Sequence, residues 1–205
     1  MRGALRRSRA SLREGIETVA MGEIDRPVNA PVTFLLTAQR VKVRHPQTRF
    51  VLLGGLDPTP GGLTRTEVKA WVAEGLLEWP GHVEIEPWLA QTRVYVLPTY
   101  YREGVLRSTQ EALAMGRPVV TTDAPGCRET VVDGENGFLV PVRDVDALAA
   151  RMIRFIEQPG LIESMGRRSR QLAEERFDVR RINAQILEIL GIAPVPTSAN
   201  PCGVE

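Results

Sequence analysis

The sequence predicts a doubly wound α/β domain, a parallel sheet with helices on both faces and further helices closing the chain. Four short, almost continuous apolar runs read as strands covered on both faces, because a half-exposed strand would alternate apolar with polar residues. Helix signals fall between and after these runs. The composition of the 205 residues, 43% hydrophobic and 25% charged, is that of an ordinary globular domain. A domain of this size buries roughly 70% of its unfolded-chain surface and needs no disulfide or metal to complete its core.

The first strand is predicted at VTFLL (32–36) and the second at RFVLLGG (49–55). Thr64 and Glu67 then form a T-x-x-E capping box ahead of VKAWVAEG (68–75), with Gly75 placed to end that helix. A weaker strand, LLEWPGH (76–82), follows, and VYVLP (94–98) and PVVTT (118–122) supply the fourth and fifth. In VVDGENGFLVP (131–141), Asp133-Gly134 and Asn136-Gly137 are turn signals around a last extended piece. Helices are predicted from Asp144 to about Glu157, across LIESMGRRSRQLAEERF (161–177), and from Asp178 to Leu190. This divides the chain into a basic arm and linker (1–31), an α/β core (32–190) and a tail (191–205). The arm carries Arg2, Arg6, Arg7, Arg9 and Arg13 before its first acid, Glu14, and leaves open a contact with an anionic membrane surface.

The formal charge of +1 offers no global attraction to nucleic acid. No apolar run approaches the length of about 18 residues that a membrane span requires. Cys127 and Cys202 read as free thiols, which suits a cytoplasmic address. His45 and His82 have no partners at metal-ligand spacing, so no metal is expected. LGGLDPTPGGL (53–63) is glycine-rich but fits neither G-x-G-x-x-G nor a P-loop.

In a doubly wound sheet the ligand crevice lies beyond the carboxyl ends of the strands, beside the first and fourth strands where the order reverses. The stretch YYREGVLRSTQEALAMG (100–116) leaves the fourth strand. Val105, Thr109, Ala112, Leu113 and Gly116 form a helical stripe suited to packing on the sheet. The free N–H groups of the first turn, around 105–108, make an anion site. Glu103 and Glu111 stand eight residues apart, about 12 Å along a helix, and carboxylates accept hydrogen bonds from vicinal hydroxyls. The same residues with Arg107 also describe an i, i+4, i+8 salt-bridge string on a solvated face. Tyr100 and Tyr101 read as packing at a strand exit, and Glu129 as a brace for the turns that follow it.

The segment EGVLRSTQEALAMGRPVVTTDAPGCRETVVDGENGFLVP (103–141) resembles the E-x7-E region and following strand of retaining glycosyltransferases of family 4. HPQTRFVLLGGLDP, EVKAWVAEGLLEWPGHV and VYVLPTYYREG extend the resemblance over most of residues 32–190. It implies a Rossmann-like sheet, the donor half of a GT-B fold, acting in cell-surface polysaccharide or lipid-linked glycan synthesis. By this resemblance Glu103 contacts the hydroxyls of the donor sugar, Gly104, Val105 and Leu106 offer backbone to sugar and diphosphate, Glu111 holds the ribose, and Val83 holds the base by backbone contacts. The implied donor is a UDP-hexose or UDP-N-acetylhexosamine, transferred with retention and without a cofactor or metal. No catalytic side chain is assigned.

Two departures from the family pattern stand out. The family's N-terminal acceptor domain, usually the source of a catalytic histidine, has no counterpart before VTFLL, so an acceptor-binding partner chain is implied. The eleven residues 38–48 between the first two predicted strands are also too few for a β–α–β crossover of a dozen or more, and read as an internal deletion. Three readings stay open: a transferase completed by a partner, cytoplasmic or at the inner face of the membrane; a binding module that holds a nucleotide sugar; and a truncated remnant.

Overall fold

The computed structural model describes residues 20–23, 29–56, 63–100 and 104–192. Six parallel strands, β1 (Ala20–Glu23), β2 (Phe50–Leu53), β3 (Glu78–Gly81), β4 (Val94–Leu97), β5 (Val119–Thr122) and β6 (Gly137–Val140), stand in the order β3-β2-β1-β4-β5-β6. Helices α1 (Asn29–Arg44), α2 (Arg65–Ala73), α3 (Ile85–Gln91) and α4 (Arg107–Ala114) join the first five strands. Helices α5 (Val145–Glu157), α6 (Gly160–Arg176) and α7 (Val179–Ile189) follow β6. The doubly wound parallel sheet is therefore present, and its order reverses between β1 and β4.

The sheet does not begin where the sequence indicates. VTFLL lies inside α1, where Phe34, Leu35, Ala38 and Val41 are buried and Leu36 is 41% exposed. Spacings of 1, 3 and 3 are one face of a helix, whereas an almost continuous apolar run of this length fits a buried strand equally well. Pro31 falls in the first turn, where a missing N–H removes no helix bond. The first strand is instead AMGE, inside the segment read as a linker outside the core, and it pairs with β2 on one side and β4 on the other. The crossover from β1 to β2 accordingly runs over residues 24–49 and holds a 16-residue helix. It is of ordinary length, so the deletion inferred from residues 38–48 does not exist.

Strands β2, β4, β5 and β6 each feed two cores. Phe50, Leu52, Val94 and Val96 face α1 and α5 through Phe34, Val41, Leu148 and Met152, and Phe34 meets Phe50 edge-on at 5.5 Å. Val51, Leu53, Tyr95 and Leu97 face the other way, onto Leu89 of α3, Ala112 and Leu113 of α4, and Leu172 of α6. Strands apolar on both sides demand cover on both sides. Helix α3 is short and without a side-chain cap, and no local signal in the sequence announces it. The capping box of α2 forms as expected: Glu67 N–H donates to Thr64 Oγ1 at 3.2 Å and Thr64 N–H to Glu67 Oε2 at 2.7 Å. No residue of α7 is buried, and no helix among the described residues is long and apolar enough to cross a membrane.

Two contacts set the frame around the crevice. Helix α4 ends at Gly116, with φ 66°, and α6 lies so near that a Cβ on Gly166 would stand 2.4 Å from the Gly116 carbonyl oxygen. At the other sheet edge Arg49 grips Glu78 through two bonds of 2.7 and 2.9 Å, which join the start of β2 to β3. Hydrogen bonding from Arg49 holds the Glu78 carboxyl below its ordinary range, against a smaller opposing effect of burial.

Gly166→Ala is expected to push α6 off α4 and destabilise the domain by about 1–3 kcal/mol in urea unfolding. For the Arg49–Glu78 pair the sign follows from the depressed carboxyl. Its stabilisation is present above pH 4.5 and is lost as pH falls through the folded value. The parent should therefore outlast Glu78→Gln in urea at neutral pH, and the difference between their midpoints should shrink steadily in acid.

Candidate functional site

The crevice lies above the carboxyl ends of β1 and β4. Leaving β4, the chain passes Thr99 and Tyr100; residues 101–103, including Glu103 and Tyr101, lie outside the described residues. Gly104 and Val105 are exposed and Leu106 is half-buried against the core on the α4 side. Leu106 is extended (φ −67°, ψ 125°) and is the N-cap of α4, but its side chain has no hydrogen-bonding atom. Among the described residues the first-turn N–H groups of α4 thus have no side-chain cap. The carbonyls beside them are occupied: Thr109 Oγ1 donates to Leu106 O at 2.7 Å and Gln110 Nε2 to Val105 O at 3.2 Å. Donors face outward while acceptors are tied back, an arrangement that favours an anion.

Thr109, Ala112 and Leu113 are fully buried, so the stripe that seats α4 on the sheet is as the sequence indicates except at its start. Val105 is 40% exposed because α4 begins at Arg107 and Val105 precedes the helical period. Glu111 Oε1 accepts from Arg107 Nε at 3.1 Å, with the arginine side chain 90% and the glutamate 37% exposed. The salt-bridge string is therefore present between these two residues, and Glu111 remains open to solvent.

Val83 stands between β3 and α3, half-buried with Ile85 and Trp88 against the same core as Leu106. Just before it, Gly54 N–H donates to Gly81 O at 2.9 Å and Trp79 Nε1 to Gly54 O at 3.0 Å, locking the exits of β2 and β3 together. A cavity of about 570 Å³ opens there, lined by Gly55, Trp79, Gly81, His82, Arg65 and Lys69. Three strand spacings, about 14 Å, separate the lines of β3 and β4. Val83 and the start of α4 thus bracket the ends of β2 and β1 from either side.

On the far side of β4, Thr121 Oγ1 donates to Leu97 O at 2.7 Å and Thr122 Oγ1 to Thr99 O, fixing the β4 exit to β5. The turns before β6 are braced by Asn136 and not by Glu129. Asn136 Oδ1 accepts from Val132 N–H at 2.8 Å and its amide donates to Thr130 O at 3.0 Å. Asn136 is fully buried, while Glu129, the polar residue that the sequence points to, is exposed. Arg143 carries no sequence signal at all. This residue follows β6 with φ 63°, and its guanidinium lies 4.6 Å from the ring centre of Tyr100. Left-handed positions are usually signalled by Gly or Asn, and neither stands there.

The sequence model of the family described as glycosyl transferases group 1 matches residues 16–158. A putative colanic acid biosynthesis glycosyltransferase, WcaL of Salmonella typhimurium, is 33% identical over 161 residues, 74% of this chain and 39% of that protein. The phosphatidyl-myo-inositol mannosyltransferase of Mycolicibacterium smegmatis is 27% identical over 180 residues, 86% of this chain and 45% of that protein. Among solved structures, sucrose-phosphate synthase from Thermosynechococcus elongatus superposes with a TM-score of 0.71 at 25% identity, covering 91% of this chain and 48% of that one. Anabaena Alr3699/HepE in complex with UDP gives a TM-score of 0.72 at 24% identity, covering 91% and 51%. The chain thus spans less than half the length of these two curated relatives. With the family model matching more than half of its residues, and with the sheet of one half of a GT-B glycosyltransferase, the chain belongs to the group 1 glycosyl transferases.

Proposed function

We propose that this chain is the donor-binding half of a glycosyltransferase, holding a UDP-hexose or UDP-N-acetylhexosamine for retaining transfer in cell-surface polysaccharide or lipid-linked glycan synthesis. The observation that carries this reading is the uncapped N-terminus of α4 at the point where the strand order reverses. The diphosphate sits on the N–H groups of that turn, which need no charged side chain to bind it. Glu111, one turn further and open to solvent, accepts from the ribose hydroxyls once Arg107 swings aside, a small loss because an exposed i, i+4 pair is worth about 0.3–0.5 kcal/mol. The backbone at Val83 receives the base across the ends of β1 and β2. Glu103, by the family resemblance, receives the sugar hydroxyls. The Anabaena protein, whose structure holds UDP, supports a ligand of this class.

Transfer also needs an acceptor held against the donor, because proximity and orientation are what a two-domain cleft supplies. We place the acceptor site outside residues 1–205, in the other half of such a cleft, working in the cytoplasm or at the inner face of the membrane. A module that holds nucleotide sugar without transferring it has the same donor site and differs only in lacking that acceptor half. The remnant reading has lost its support, since residues 24–49 make a full crossover.

Titration calorimetry with UDP tests the donor site. Glu111→Ala should weaken UDP by about 1.5–3 kcal/mol, the scale of a hydrogen bond to a charged group. Unfolding of the same variant should change by only a few tenths of a kcal/mol. Unaltered UDP affinity would reduce Glu111 to half of a surface ion pair. Incubated alone with radiolabelled UDP-hexose and lipid or sugar acceptors, the chain should give background counts. Acceptor-dependent turnover by these residues alone would refute the need for that acceptor half.

A further inference from the structure

The turn that Arg143 occupies calls for left-handed backbone at this position but not for an arginine. That turn runs from β6 into α5, with Asp144 N–H donating to Pro141 O at 3.3 Å and Asp144 Oδ1 accepting from Ala147 N–H at 2.8 Å. Glycine would satisfy the same geometry without the clash between Cβ and backbone that φ 63° imposes on any L side chain. Retaining a long cation at a disfavoured backbone position is a mark of sites held for function.

The guanidinium is also held in one place. Arg143 leaves β6 and Tyr100 leaves β4, with β5 between them, so the stacking contact carries the charge across the exit of β5 toward the crevice. A guanidinium stacked on a ring keeps its N–H donors in its own plane, free to meet a ligand at the edge. Among the described residues Arg143 makes no ion pair. The carboxylates nearest in sequence are engaged: Asp144 caps α5 and Asp146 pairs with Arg40. The result is an oriented cation at the rim with no carboxylate paired to it among the described residues, opposite the side bounded by β3.

We propose that Arg143, stacked on Tyr100, meets an anionic oxygen of the bound nucleotide sugar on the β6 side of the crevice. This rests on the donor-site reading above. Two oxygens share the required chemistry, one on the diphosphate and one on a sugar carboxylate of a uronic acid donor, and the ligands below tell them apart.

The full chain, Arg143→Gly, Arg143→Lys and Glu111→Ala are titrated with UMP, UDP, UDP-glucose and UDP-glucuronic acid, with melting temperatures recorded alongside. Arg143→Gly relieves the backbone, so it should melt no lower than the parent. It should nevertheless bind one class of ligand about fivefold or more weaker. If UDP weakens and UMP does not, the contact is to the diphosphate; if only UDP-glucuronic acid weakens, it is to the sugar carboxylate. Arg143→Lys, with the same backbone and charge, should recover part of the loss. The proposal is overturned if Arg143→Gly binds all four ligands within about twofold of the parent, or weakens all four equally while melting lower. Loss of binding in Glu111→Ala but not in Arg143→Gly would leave the donor site standing and remove Arg143 from it. A parent chain that binds none of the four overturns both.

Discussion

The rest of the structure hangs on the double pairing of β1. Four residues of backbone are bonded to β2 on one side and β4 on the other, and this alone makes the strand order reverse at that point. From β1 the chain winds outward in one direction through β2 and β3, then returns to build β4, β5 and β6 in the other. Connections after adjacent strands β1 and β4 therefore depart to opposite sides, and their divergence leaves a crevice. A strand bonded along both edges gains its stability from the two ladders, so it needs little apolar content of its own.

What the described residues present at the start of α4 is mainly backbone. Helix α4 is positioned by its buried stripe, by its contact with β4 and β5 through one of the two cores, and by the close approach of Gly116 and Gly166. That seating fixes the direction in which its first N–H groups point, and no side chain of Leu106 intervenes. Recognition through main-chain donors tolerates variation in the side chains around it, which fits a family whose members share a sheet while differing at most positions. Two charged side chains stand around this turn: Glu111 on the outer face of α4, and on the β6 side an arginine whose backbone is left-handed and whose guanidinium lies over Tyr100.

The two edges of the sheet are secured differently. At the β3 edge a two-bond Arg49–Glu78 clasp and the Trp79–Gly54 bond join neighbouring strands. At the β6 edge a buried asparagine satisfies the turn backbone, and Asp133 accepts from Leu139 N–H at 2.9 Å. Both devices keep irregular backbone close to the strand ends rigid enough to carry ligand-facing groups, because each polar group they bury is paired.

Elements whose signals are local are legible in the chain before it folds. Strands β2, β4, β5 and β6 are short apolar or β-branched runs, α2 announces itself by a capping box and a terminal glycine, and α5 and α7 by Asp144 and Asp178 at their N-caps. Helix α4 is equally legible, since the spacing of Thr109, Ala112 and Leu113 along a helix is a property of the chain. The first β–α unit, by contrast, is settled by long-range pairing. AMGE carries no pattern of its own, and VTFLL satisfies the period of a strand as well as that of a helix until the positions of Ala38 and Val41 are counted. A misplaced first strand then makes a normal crossover look truncated. Arg143 and Asn136 are illegible for a related reason: a cation stacked across three strands and an amide bonded to turn backbone depend on neighbours brought together by the fold, which sequence spacing does not encode.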